Sequence, residues 1–275
     1  MSYAHGGFCK TPGSAMNSVP MVTDSETSED AILGGRLRVR QPMRGHRVGH
    51  DAILLAAATG ARTGEQAVDL GSGVGAAGLA LAVRIPGLKV TLVEIDAILC
   101  ALAAHNARLN RLADRVDVRA LDAENLDALK AAGFSAETID RVLMNPPFHD
   151  PQRQNVSPDP LRRLAHVGTP GLLGRWIGTA AWLLKPRGIL TLIWRADGLD
   201  EVLGGLRPAF GDIAVLPVLS REGAPPIRVL VRAVKAASGP LVNHPALVLN
   251  DDDGQPTAAA EAVLREGKTL NITDA

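Results

Sequence analysis

The sequence predicts an α/β fold with a mostly parallel, seven-stranded sheet that ends in an antiparallel β-hairpin. Three observations lead to this prediction. Short β-branched segments alternate with alanine- and leucine-rich segments from residue 66 onward, as in right-handed βαβ units. A glycine-rich turn follows the first of these strands. The last two strand-like segments are joined by residues 221–226 alone, which is too short for a parallel crossover.

The elements alternate regularly along the chain, which makes the predicted fold Rossmann-like. We expect strands at 66–70, 89–95, 115–121, 139–144, 189–195, 212–220 and 227–235. We expect helices at 51–58, 75–84, 97–110, 123–132, 171–185 and 198–207. Asp96 is placed to cap the third helix, and the five prolines between residues 146 and 160 predict a long loop.

The predicted elements divide the chain into four parts. Residues 1–30 are rich in Gly, Ser, Thr, Pro and Glu and predict a disordered leader. Residues 31–65 form an N-terminal cap with a basic segment, and residues 66–235 form the main domain. Residues 236–275 form a C-terminal tail in which Thr257 can cap a helix, and no function is predicted for the tail.

Composition excludes several classes of protein. Lys+Arg and Asp+Glu both total 29, so the chain does not hold nucleic acid by bulk positive charge. The basic segment at 36–47 is interpreted either as a solvated edge strand or as a patch that meets phosphate. Cys9 and Cys100 alone make neither a disulfide framework nor a zinc site, and no spacing indicates a metal ligand set. We expect a cytoplasmic protein without a membrane span or an obligate protein partner.

The glycine-rich turn predicts a cofactor that contains adenosine. Residues 69–78 read DLGSGVGAAG, and Gly71, Gly73 and Gly75 let the backbone approach a ligand closely. The helix that follows offers free N–H groups to polar ligand atoms. The spacing Gly73-x-Gly75-x-x-Gly78 also fits the dinucleotide fingerprint, so the turn does not by itself name the cofactor.

Acidic residues near the strand ends favour S-adenosyl-L-methionine over NAD. Asp69 precedes the glycines, where a carboxylate suits the ammonium group of S-adenosyl-L-methionine and would repel the diphosphate of NAD. Glu94 can accept hydrogen bonds from both ribose hydroxyls. Asp122 can accept one from the adenine amino group, or it can cap the next helix. We therefore predict S-adenosyl-L-methionine as the cofactor.

The segment Asn145-Pro146-Pro147-Phe148 follows the fourth strand of the main domain and predicts the chemistry. The two prolines make a stiff shelf of carbonyl acceptors. The Asn145 oxygen and the Pro146 carbonyl can accept both N–H groups of an amino nitrogen attached to a planar ring, and Phe148 offers a face for a flipped base. The alternative is a rigid exit from strand to loop. We predict methyl transfer to such a nitrogen.

These segments carry a resemblance to a known family. DLGSGVG, VEID and NPPF, in that order, resemble the class I amino-methyltransferases, whose motif is Asn/Asp-Pro-Pro-Tyr/Phe. Residues 47–55, RVGHDAILL, resemble the Lys-Val-Gly-Thr-Asp-Gly/Ala-x-Leu-Leu segment of the bacterial tRNA1(Val) (adenine-N6)-methyltransferases. Arg47 replaces Lys, His50 replaces Thr, and Phe148 replaces the commoner Tyr. The resemblance implies that Arg47 and Asp51 close over the methionine end of the cofactor.

The resemblance implies methylation of the N6 amino group of an adenine in RNA, with tRNA as the partner. Methylation of a protein glutamine or of a guanine amino group in rRNA is the alternative. An NAD-dependent oxidoreductase is disfavoured by Asp69 and by the terminal hairpin. A non-catalytic RNA-binding or scaffold protein is a further alternative, and it predicts no affinity for the cofactor.

Overall fold

The computed structural model describes residues 26–44, 47–147 and 171–272. Within these residues a two-stranded hairpin precedes a nine-stranded sheet with helices on both faces. The strands are β1 (Thr27–Ile32), β2 (Leu37–Pro42), β3 (Gln66–Leu70), β4 (Lys89–Glu94), β5 (Val116–Ala120), β6 (Ile139–Met144), β7 (Leu184–Arg195), β8 (Phe210–Arg221), β9 (Pro226–Lys235), β10 (Val242–Asn243) and β11 (Leu247–Asn250). The helices are α1 (His50–Ala58), α2 (Ala76–Arg84), α3 (Ala97–Leu109), α4 (Leu126–Ala131), α5 (Leu172–Leu183), α6 (Leu199–Leu206) and α7 (Ala258–Leu264).

The large sheet confirms the predicted fold class. Its order is β10-β8-β9-β7-β6-β3-β4-β5, and β11 also pairs with β8. The strands from β5 to β7 run parallel, and β9 lies antiparallel between β7 and β8, as the short connection at 221–226 requires. The sheet has nine strands and not seven because β10 and β11 of the tail pair with the free edge of β8.

Helices cover both faces of the sheet and close a core on each. One core lies under α1, α2 and α3, and the other lies under α5 and α6. The central strands β3 and β6 are buried on both faces, so most of their positions are apolar. Among the described aromatic residues, Trp176, Trp194 and Phe210 are buried in the core under α5 and α6.

The N-terminal hairpin is fastened to α3 by two asparagine side chains. Asn106 accepts a hydrogen bond from the Arg40 N–H at 2.8 Å and donates one to the Arg40 carbonyl at 3.0 Å. Asn110 makes the same pair of bonds with Arg38. Asn106 and Asn110 are four residues apart, which is a rise of about 6 Å along a helix. Arg38 and Arg40 are two residues apart, which is about 6.8 Å along a strand, so the two spacings match. These two side chains of α3 thus make the backbone hydrogen bonds that a neighbouring strand would make with β2.

Several element boundaries differ from the predicted ones. The strand β1 begins at Thr27, inside the segment 1–30 that we expected to be disordered, and only residues 26–30 of that segment are described. The helix expected at 123–132 begins at Leu126, because the Asn125 side chain caps it by accepting from the Ala128 N–H at 2.9 Å. Thr257 and Asp96 cap their helices as predicted. The division at residues 31–65, 66–235 and 236–275 stays a prediction.

The described helices are all too short or too polar to cross a lipid bilayer. No group of three or more His, Cys, Asp or Glu side chains in the described chain is arranged to hold a metal ion.

Candidate functional site

The sheet order brings the main predicted residues to one edge. The strands β6, β3 and β4 are neighbours, and Leu70 pairs with both Val93 and Met144. The glycine turn follows β3, Glu94 is the last residue of β4, and Asn145 follows β6. The carboxyl ends of parallel strands form the ligand-binding edge of such sheets. The site described below lies at this edge.

The three glycines of the turn differ in what surrounds them. All have left-handed φ angles, at 68° for Gly71, 58° for Gly73 and 88° for Gly75. A Cβ at Gly71 would overlap the ring of Trp176, and a Cβ at Gly75 would lie 2.8 Å from Leu92. A Cβ at Gly73 would meet nothing within 4 Å. Two of the glycines therefore serve packing, whereas Gly73 faces open space that a ligand can use.

Glu94 lies beside Gly73 and is held in a fixed position. One carboxylate oxygen accepts from the Gly73 N–H at 2.8 Å, and the other accepts from the Ile95 and Asp96 N–H groups at 2.8 and 2.9 Å. Burial raises the pKa of this carboxyl group, and the three N–H bonds oppose the rise. The oxygens keep lone pairs for further donors such as hydroxyl groups.

Asp69 lies in the interior, one residue before the end of β3. Its side chain is 2% exposed and accepts from the Gly78 N–H of α2 at 2.8 Å. Burial raises the pKa of Asp69 to about 7, the Gly78 N–H bond opposes the rise, and the charge of Glu94 adds to it. The observed contact ties α2 to β3. The contact with a cofactor ammonium group stays a prediction.

Asn145 presents an oxygen that has no partner in the described chain. Its Oδ1 is buried without a hydrogen bond, and so is the Oγ of Ser72 in the neighbouring glycine turn. A buried acceptor left alone costs about 1–3 kcal/mol, which a bound donor would recover. Pro146 is buried and Pro147 is half-buried. Phe148, the last residue of the predicted motif, lies outside the described residues.

Arg47 and Asp51 are each engaged with another residue. The Arg47 guanidinium pairs with Asp30 of β1 at 2.7 Å. Asp51, in the first turn of α1, accepts from the Arg228 guanidinium of β9 at 2.9 Å. The sequence had no local signal for Arg228, because 177 positions separate it from Asp51. The role of Arg47 and Asp51 at the methionine end of the cofactor stays a prediction.

Two further residues complete the site edge. Asp122 accepts from the Glu124 N–H at 2.9 Å in a tight turn after β5, so it is not the helix cap that was the alternative interpretation. Ile95 follows Glu94 directly and is 57% exposed, which is unusual for a large apolar side chain at the end of a buried strand. The signal that could have identified Ile95 as a candidate site residue is its position: an apolar residue directly after Glu94, the acidic residue that ends β4.

The basic segment makes contacts typical of a solvated strand. Arg38 pairs with Glu29, and the Arg40 Nε donates to the Thr27 hydroxyl at 2.8 Å. Arg36 donates to the Glu266 carbonyl at 3.0 Å. These partners belong to the hairpin and to the tail. A contact of the segment with phosphate stays a prediction.

The arrangement fits S-adenosyl-L-methionine. Gly73 leaves room beside the backbone, the fixed carboxylate of Glu94 can accept from ribose hydroxyls, and Ile95 supplies apolar surface next to it. The buried oxygens of Ser72 and Asn145 lack donors within the described residues. These features suit a ligand with hydroxyl groups and an aromatic ring.

Known proteins resemble this chain in sequence. A tRNA1(Val) (adenine(37)-N6)-methyltransferase of Porphyromonas gingivalis is 33% identical over 164 residues, which is 57% of this chain and 61% of that protein. A release factor glutamine methyltransferase of Chlorobaculum tepidum is 30% identical over 155 residues, or 54% of this chain and 52% of that protein. The alignments thus span about half to three fifths of these relatives.

A solved structure and a family model extend the comparison. The crystal structure of a predicted O-methyltransferase from Agrobacterium tumefaciens has a TM-score of 0.69 and 26% identity, and the match covers 82% of this chain and all of that one. Residues 47–217 match the family model described as the methyltransferase small domain. This match covers well over half of the chain and includes the glycine turn, Glu94 and Asn145. The chain therefore belongs to the methyltransferase small domain family.

Proposed function

We propose that this chain transfers a methyl group from S-adenosyl-L-methionine to the N6 amino group of an adenine in tRNA. The observation that carries the proposal is the buried Oδ1 of Asn145, which has no hydrogen-bond partner among the described residues and lies at the same sheet edge as the glycine turn. The names of the curated relatives support tRNA as the substrate. The resemblance of residues 47–55 to the same family supports it as well.

Asn145 and Pro146 act on the acceptor nitrogen. The lone pair of an adenine amino group is delocalised into the ring, so this nitrogen is a weak nucleophile. Asn145 Oδ1 and the Pro146 carbonyl accept its two N–H groups, which favours a pyramidal nitrogen and fixes its direction of attack. As the N–C bond forms and the C–S bond breaks, the nitrogen becomes positively charged and acidic. It then releases one proton to water, so a strong general base is not required. Phe148 provides the face on which the flipped adenine stacks.

The remaining site residues hold the cofactor, which supplies a methyl group on a positively charged sulfur. Gly73 leaves space for it, and Glu94 accepts hydrogen bonds from its ribose hydroxyls. Ile95 packs against the adenine ring, and Asp122 accepts from the adenine amino group. Asp51, oriented by Arg228, faces the methionine end together with Arg47.

The test is methylation of separate RNA and protein pools with labelled S-adenosyl-L-methionine. We expect label in tRNA, recovered as N6-methyladenosine by mass spectrometry of the nucleosides. Label in protein alone would contradict the RNA substrate and favour a glutamine acceptor, as the relative from Chlorobaculum tepidum suggests. Label in guanosine would favour the guanine amino group.

Asn145→Ala separates the roles of cofactor binding and catalysis. We expect the affinity for S-adenosyl-L-methionine to stay within about twofold, while kcat falls about 100-fold or more, because a preorganised polar contact to the reacting group is lost. Asn145→Asp is the matched variant, since an aspartate carboxylate still accepts the N–H bonds and should retain more activity. Turnover that is unchanged in Asn145→Ala would show that the motif is misassigned.

A further inference from the structure

A second cavity lies at the opposite edge of the sheet, where β6 and β7 begin. Ile139 pairs with Leu184 and Arg141 with Ile189, so Asp140 alone stands opposite the four residues 185–188. These four residues bulge out of β7 and form one wall of a cavity of about 320 Å³. The linker between α1 and β3 and the end of β9 form the other walls.

The walls of this cavity are rich in positive charge. The cationic side chains are those of Arg62, Arg141, Lys185, Arg187 and Arg232. Glu65 and Asp140 are the carboxylates on the same walls, and they pair with Arg141 at 2.8 Å and with Lys185 at 2.7 Å. Asp212, which pairs with Arg187 at 3.1 Å, is not part of the lining. The lining therefore carries more cationic than acidic side chains, five against two.

Two of the cations are largely buried, and burying a charged group is costly even when it is paired. The side chain of Arg141 is 8% exposed, and Arg232 is 9% exposed. The Nε of Arg141 is a buried donor with no acceptor in the described chain. Burial lowers the pKa of Arg141, Glu65 opposes this, and the charges of Arg62 and Arg232 lower the pKa further. The buried guanidinium thus lies among like charges with one donor unused.

We propose that this cavity binds a phosphate group. Guanidinium groups donate in a planar fork that matches phosphate oxygens, and a phosphate would accept from the unused Nε of Arg141. The volume of about 320 Å³ lies at the lower end of small-molecule sites, so it admits a phosphate with an organic group attached. The phosphate comes either from a small molecule such as a nucleotide or from an RNA backbone.

This site is separate from the candidate methyl-transfer site. Arg141 lies in β6 and Asn145 directly follows this strand, so the two residues are four positions apart, which corresponds to roughly 13 Å along an extended chain. The proposal does not depend on the methyltransferase activity, and it can be tested with the cofactor site filled.

The experiment is a calorimetric titration of the full chain with inorganic phosphate at constant ionic strength. S-adenosyl-L-homocysteine is kept at saturation. The variant Arg62→Gln/Arg187→Gly removes two lining charges but leaves the buried Arg141 and its partner in place. Glycine suits position 187, where φ is 66°. The control is Arg111→Gly/Arg221→Gln, which removes two exposed charges elsewhere, and Arg111 also has a left-handed φ, of 57°.

We expect saturable phosphate binding by the unaltered chain and at least tenfold weaker binding by Arg62→Gln/Arg187→Gly. The control should stay within twofold, and Asn145→Ala should bind phosphate like the unaltered chain. Competition by adenosine monophosphate would identify a small-molecule ligand, and competition by a short single-stranded RNA alone would identify a backbone phosphate. The proposal is overturned if phosphate does not bind saturably or if the control weakens binding equally.

Discussion

Replacing Asn106 by alanine tests how the N-terminal hairpin is attached to the rest of the molecule. The Asn106 side chain is fully buried. It accepts from the Arg40 N–H and donates to the carbonyls of Arg40 and Val74, each at 2.8–3.0 Å. The Val74 carbonyl belongs to the glycine turn. One carboxamide therefore connects the hairpin, α3 and the turn of the candidate site.

The expected loss of stability follows from these three bonds. A net value of about 1 kcal/mol for each bond gives about 3 kcal/mol for Asn106→Ala, since water has little access to the backbone groups left behind. Asn110→Ala removes three bonds of the same kind, to the Arg38 N–H and to the carbonyls of Arg38 and Asn106. Asn110 is only half-buried, so water can replace its bonds, and we expect a loss below about 1 kcal/mol.

Urea denaturation of both variants measures the difference, and hydrogen exchange at the Arg38 and Arg40 amides locates it. We expect faster exchange at the Arg40 amide in Asn106→Ala and at the Arg38 amide in Asn110→Ala. Equal losses of stability in the two variants would refute the role of burial. A loss below 1 kcal/mol in Asn106→Ala would refute the three-bond estimate.

Three further predictions concern the candidate site. The pKa of Asp69 is about 7 in the folded chain, against 3.8 for a free aspartate side chain, so the folded state binds the proton more tightly. The stability that this proton adds is therefore fully present below about pH 4 and is lost as the pH rises through 7. Asp69→Asn should remove up to about 4 kcal/mol of this change in the free energy of unfolding with pH. A free energy of unfolding that keeps its original pH profile in this variant would show that Asp69 is not the group responsible. Gly71→Ala should destabilise the chain by about 2 kcal/mol or more, since its Cβ meets Trp176, whereas Gly73→Ala should cost about 1 kcal/mol of backbone strain and chiefly weaken S-adenosyl-L-methionine binding. Calorimetry on both variants separates these effects. An affinity of Gly73→Ala for S-adenosyl-L-methionine equal to that of the unaltered chain would show that the space at Gly73 is not used. A double-mutant cycle with Arg228→Met and Asp51→Asn should give a coupling of about 1 kcal/mol in stability, because both side chains are about a quarter exposed, and a zero coupling would mean that the pair has no structural role.

The fold was predictable where local pattern and tertiary environment agree. The bounds of β3 and β6 match the predicted ones, because these strands are buried on both faces and their apolar residues end abruptly at Gly71 and Asn145. The strand β1 was not predicted, since its sequence TSEDAI is polar and its pairing with β2 supplies the missing stabilisation. The strands β10 and β11 are too short to carry a periodic signal.

The candidate site was predictable as a set of positions but not as a set of contacts. Because Asp69 and Glu94 lie near the carboxyl ends of β3 and β4, the sequence predicts the sheet edge at which they lie. It does not predict the direction in which each side chain points. Asp69 turns under α2, whereas Glu94 turns toward Gly73. Contacts such as Asp51 with Arg228 join residues far apart in sequence, and no local pattern encodes them.

The two short strands of the tail change what the large sheet offers to other molecules. Without them β8, at twelve residues, would present a long row of unpaired N–H and C=O groups. The pairing of Val242–Asn243 and Leu247–Asn250 with β8 leaves strands of two and four residues at that border. Strands this short are poor templates for a strand from another chain. The tail thus leaves little of the β8 edge open for pairing with a strand of another molecule.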